Sequence, residues 1–258
     1  MSTPVTSPVG LPAGPGHLTE QWADFFRFLR RPQLPEKASG FSGKALAATL
    51  RILALDILIT VALILMFIVL TMLGIEPPPN IMEDLEFTPG IIALIVLAAP
   101  IGEELVFRSW LSGRPGHVLA LVLLAACALG VPFFYGLSAG GAADSTMAIT
   151  IGGVGLVVGL ILAGGVLYLF RNRGPWRWFA KIFPVMLLLS AASFAFVHVF
   201  NYQGEPNALV YIFVLPQFIL GLVCAYARVN FGLWSNTLIH ALHNGTAVAL
   251  IMMFPDLG

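Results

Sequence analysis

The chain has 258 residues, 58% of them apolar and only 10% charged, with a mean hydropathy of +0.91. That balance excludes the soluble globular classes and makes lipid the main solvent. Thirteen basic and thirteen acidic residues cancel, no basic tract suggests a nucleic-acid partner, and the position of each sign along the chain is what informs.

Residues 1–16 are rich in Pro, Gly, Ser and Thr. They lack a basic start followed by an apolar core and a cleavage site, so they read as a disordered tail and not as a signal peptide. From Leu18 to Leu34, Trp22, Phe25, Phe26, Phe28 and Leu29 mix with Arg27, Arg30 and Arg31, the pattern of a short helix on the membrane surface. Residues 1–45 thus form an N-terminal section, and 46–258 a transmembrane domain.

A bilayer core of about 30 Å takes roughly 20 apolar residues per helix. Seven stretches qualify: about 47–74, 90–112, 117–137, 147–170, 183–200, 207–228 and 232–254. The expected fold is an all-α polytopic transmembrane bundle of about seven spans. All 13 Lys and Arg fall on one side of it, before span one, at the end of span two, between spans four and five, and after span six. The opposite loops hold Glu76, Glu83, Asp84, Glu86, Asp144 and Glu205. Basic residues favour the cytoplasm, which places the N-terminus inside and the C-terminus outside. Short loops and compact size point to a bacterial inner membrane.

Cys127 and Cys224 lie in apolar stretches without partners at metal-like spacing and read as packing residues. In span four, Gly155, Gly159 and Ala163 make a small-residue stripe that lets two helix backbones approach closely.

Ionisable groups inside a membrane are costly and mark either a function or a buried ion pair. Span two carries Glu103, Glu104 and Arg108; the last two stand four apart on one helix face, in the order that favours an ion pair. This leaves Glu103 as the unpaired carboxylate. Arg108 otherwise snorkels to the surface. Span five ends at His198, one turn after Phe194, and span seven carries His240 and Asn244 on one face with His243 on a neighbouring one. His243 either joins a site or holds another helix; Asn244 serves either chemistry or an interhelical hydrogen bond. Asp56, in span one, is expected to contact Arg51 or another helix.

In this order the residues form EExxxR, FxxxH and HxxxN, which resembles the three motifs of the CAAX protease and bacteriocin-processing family of intramembrane endopeptidases. The resemblance covers roughly 90–116 and 175–254 and leaves about 117–170 as a two-helix insertion. It departs from the pattern at Ser109, where the family often has Gly. The resemblance implies hydrolysis of a peptide bond in a membrane-associated protein or peptide, lipidated or not. Glu103 and His198 would activate a water, His240 and Asn244 would hold the oxyanion, and Glu104 and Arg108 would brace the site. It leaves metal dependence open: a metal-free glutamate scheme is favoured, and zinc held by Glu103, His198 and His240 is the alternative. Two other readings of the same residues are a catalytically silent relative acting in immunity or scaffolding, and a proton-coupled transporter. The latter would more often show repeated halves, and none is visible.

Overall fold

The computed structural model describes residues 17–82, 85–139, 144–203 and 209–253. The tail at 1–16, with Glu83, Asp84 and Glu205 of the acidic loops, lies outside the described residues. Among the described residues there are eight helices: α1 (Leu18–Arg30), α2 (Gly43–Met72), α3 (Pro89–Ser112), α4 (Pro115–Ser138), α5 (Ser145–Leu169), α6 (Arg177–Asn201), α7 (Val210–Asn230) and α8 (Leu233–Met253). Six of them, α2 to α7, are long and apolar enough to cross a membrane. α8 matches their length with 21 residues, but Asn236, His240, His243 and Asn244 dilute its apolar character. Together they agree with a bundle of about seven spans.

Two helices widen into a π turn just ahead of a proline, Leu94–Ala98 before Pro100 in α3 and Ala126–Gly130 before Pro132 in α4. Proline has no N–H for the carbonyl one turn back. A π turn shifts the hydrogen-bond ladder by one residue and absorbs the missing bond without ending the helix. α6 begins at Arg177, ahead of the apolar run from residue 183, because Arg177 and Lys181 extend the helix without needing to lie in the membrane.

The chain divides into two compact units, Met1–Leu111 with Lys181–Gly258, and Ser112–Ala180. In the first, α8 is the central helix and packs on α2, α3 and α7. Its sharp connection to α7 turns at Gly232, whose φ of +116° suits only glycine. The segment expected to lie on the membrane surface forms a helix, α1, and two of its aromatic residues pack on protein: Phe25 and Phe28 contact the Tyr226 ring, and Gln21 donates to the Tyr226 hydroxyl at 2.8 Å. Arg228 caps the end of α3 by donating to the Arg108 and Ser109 carbonyls at 3.1 and 2.7 Å.

In the second unit, α4 and α5 form a helical hairpin. The stripe Gly155, Gly159, Ala163 is buried. A Cβ on Gly155 would run into the Cys127 carbonyl oxygen, and one on Gly159 would lie 3.2 Å from the Leu124 Cα. Cys127 thus packs as expected, as does buried Cys224, and both thiols are free. Arg114 donates to the carbonyls of Arg173 and Arg171 at 2.8 and 3.2 Å and closes the hairpin end.

Candidate active site

All six candidate residues fall within the first unit. Glu104 is its centre. The side chain is fully buried and accepts on both oxygens: Oε1 from Arg108 Nη1 at 3.0 Å and from His240 Nδ1 at 2.8 Å, Oε2 from the Asn236 amide. Three donors on one carboxylate keep it charged and fixed, which offsets the cost of burying it. Arg108 is 0% exposed, so it is an internal partner and does not snorkel. Its guanidinium carbon sits 3.9 Å above the Phe194 ring, a cation–π contact. Gly221 on α7 makes room for it, since a Cβ there would come within 3.2 Å of Arg108 Nη2.

Phe194 is fully buried and joins the remaining groups. Its ring lies 4.6 Å from the His198 ring and 5.4 Å from the His240 ring, both edge to face. His198 stands at the start of a 3-10 turn, His198–Asn201, that ends α6, and is within electrostatic reach of Glu103 and His240. These contacts set His198 level with His240, although a count along α6 places it near the helix end. Its Nδ1 lies 2.8 Å from the Phe194 carbonyl, which only accepts. The proton is therefore assigned to Nδ1, and Nε2 is left with a free lone pair.

His240 has a parallel arrangement. With Nδ1 donating to the Glu104 carboxylate, Nε2 faces Glu103 Oε2 at 3.5 Å. Glu103 is the more open of the two carboxylates, with 32% of its side chain exposed, and Oε2 has no hydrogen-bond partner among the described residues. Glu103, His198 and His240 are thus brought together, with Glu104 and Arg108 behind them.

Asn244 is placed differently. Its amide donates to the Ile95 carbonyl at 3.0 Å, inside the π turn of α3. It makes the interhelical hydrogen bond expected of an amide in lipid, and one N–H remains for other work. His243 turns away from the site and pairs with Asp56 on α2 at 2.6 Å, so it holds another helix; Asp56 contacts α8 and not Arg51. Asn236, which motif reading passed over, is the third donor to Glu104. Its signal was its position one turn before His240, in the series 236, 240, 244 along the face of α8 toward α3.

Among the described residues, no three His, Cys, Asp or Glu side chains form a group able to hold a metal ion. Glu103 and His240 approach each other, but Glu103, His198 and His240 as arranged do not make a three-ligand set for zinc.

A family model described as type II CAAX prenyl endopeptidase, Rce1-like, matches residues 86–246. The chain belongs to this family. No curated protein and no solved structure matches it. The matched region reaches from the start of α3 into α8 and contains every candidate residue of all three motifs. Membership makes the chain an integral membrane protein of a protease family, with a peptide or protein as the class of substrate.

Proposed function

We propose that the chain is an intramembrane endopeptidase that hydrolyses a peptide bond in a membrane-associated protein, lipidated C-terminal segments of the CAAX type being the first class to test. The observation that carries this reading is the division of labour between two adjacent carboxylates. Glu104 is buried with both oxygens bound, whereas Glu103 is part-exposed with a free oxygen.

In this scheme Glu103, with the free Nε2 of His198, takes a proton from a water, and the resulting hydroxide adds to the scissile carbonyl carbon. Negative charge then develops on the carbonyl oxygen. His240 and the second N–H of Asn244 serve as its donors. With Nδ1 engaged by the Glu104 carboxylate, Nε2 is the nitrogen of His240 that faces this oxygen, and it donates when the ring is doubly protonated. Collapse of the tetrahedral intermediate breaks the C–N bond, and the proton held at Glu103 passes to the leaving amine. Arg108 and Asn236 keep Glu104 charged and in place. No metal ion takes part in this scheme.

Purified protein in detergent, presented with a quenched peptide library that includes lipidated members, should cut a subset of it. Glu103→Gln should lower kcat by about 100-fold or more, as expected for loss of a general base, with the fold intact by thermal denaturation. Cleavage by Glu103→Gln at the wild-type rate would overturn the assignment. Loss of wild-type cleavage on chelation, restored by zinc, would replace the metal-free scheme with a metalloprotease.

A further inference from the structure

The second unit contains a site that the proteolytic reading does not use. A pocket of about 490 Å³ opens where the start of α4, the end of α5 and the start of α6 meet, and it is lined by Pro115, Leu119, Phe170, Trp176, Arg173 and Arg177 among others. Its walls are mostly apolar, yet two arginines are among the residues that line it. Arg114 and Arg171 are occupied, the former on the Arg171 and Arg173 carbonyls and the latter on the Tyr168 carbonyl and ring. Arg173 and Arg177 are exposed and have no side-chain hydrogen bond or ion pair among the described residues. The only acidic residue of residues 112–180 is Asp144, which caps the far end of α5. Two positive charges therefore stand uncompensated beside an apolar cavity.

Its depth identifies the occupant. α4 and α5 have 24 and 25 residues, about 36 Å at 1.5 Å per residue, so their ends lie at the headgroup level of a bilayer whose apolar core is about 30 Å. Trp176 and Trp178 stack there with ring centroids 5.6 Å apart, as aromatic residues do at membrane interfaces. A ligand that offers a phosphodiester to two arginines and its glycerol and upper acyl carbons to Pro, Leu and Phe is a phospholipid, and the absence of an acidic residue from the lining favours one with net negative charge. We propose that this pocket binds the headgroup of an anionic phospholipid and anchors the α4–α5 hairpin to it.

The test is native mass spectrometry of the full-length protein released from mixed micelles of phosphatidylglycerol and phosphatidylcholine, with inorganic phosphate as a separate arm. Wild type should retain phosphatidylglycerol in preference, and phosphate at equal concentration should not displace it. Arg173→Ala/Arg177→Ala should lower that preference about 10- to 30-fold, the loss expected for two interfacial arginines. A Cβ on Gly174 meets nothing within 4 Å, so Gly174→Leu extends into the open region beside the pocket without changing charge, and it should weaken retention of the lipid. Thermal denaturation confirms that each variant is folded. Equal retention of the two lipids by wild type, an unchanged preference in the folded double variant, or displacement by phosphate overturns the proposal.

Discussion

At the scale of single residues, the site depends on how firmly Glu104 is held, and the least obvious of its three donors is Asn236. Asn236→Ala leaves a buried carboxylate oxygen without its donor, which costs about 1–3 kcal/mol, so kcat/KM should fall about 10- to 100-fold with KM nearly unchanged. Asn236→Asp should do worse than alanine, because it sets a carboxylate against a carboxylate. Steady-state kinetics beside melting curves separate this from general unfolding; equal kinetics for wild type and a folded Asn236→Ala would remove Asn236 from the site. The two glutamates were legible as different from spacing alone, since Glu104 stands four residues before Arg108. Asn236 was not, because one amide in an apolar helix carries no motif. Only its partner on α3 gives it meaning.

At the scale of elements, two irregular turns follow directly from proline. The π turn at Leu94–Ala98 lies just ahead of Pro100 and about two turns before Glu103, and it presents the Ile95 carbonyl to Asn244. Pro100→Ala restores the missing N–H and removes the reason for the wide turn. The shift expected at Glu103 and Asn244 should lower kcat by about 10- to 100-fold, the scale of an ångström misplacement, with a melting temperature equal to or above wild type. An unchanged kcat would show that the wide turn does not set the site. In the hairpin, the test is steric. Gly155→Leu forces a side chain against the Cys127 carbonyl and should cost at least about 1–3 kcal/mol, seen as a lower melting temperature. The small-residue stripe was readable from its four-residue period. The π turns were not, since a proline inside an apolar run equally predicts a kink, and the choice is made by neighbouring helices.

At the scale of the whole molecule, the apolar runs and basic residues were enough to propose about seven helices, but α8 is the informative case. Its polar face, Ser235, Asn236, His240, His243 and Asn244, keeps it outside the six helices that qualify by composition. It is nevertheless the central helix of its unit, with Ser235 and His243 bonded to Thr49 and Asp56 on α2, and Asn236, His240 and Asn244 bonded to α3. If α8 crosses the bilayer with the other six, tags at the two ends of the chain should be reachable by protease from opposite faces of sealed vesicles. Access to both tags from the same face would leave α8 outside the count.

The order of synthesis gives these contacts another meaning. α8 is made after the other seven described helices, and each of its polar partners, Thr49, Asp56, Ile95 and Glu104, precedes it in the chain. A helix too polar to partition into lipid on its own can still enter a membrane in which matching acceptors and donors already wait. The same bonds that shape the site would then also draw α8 into the membrane, and a chain truncated ahead of Leu233 would leave Glu104 and Asp56 short of partners in the bilayer.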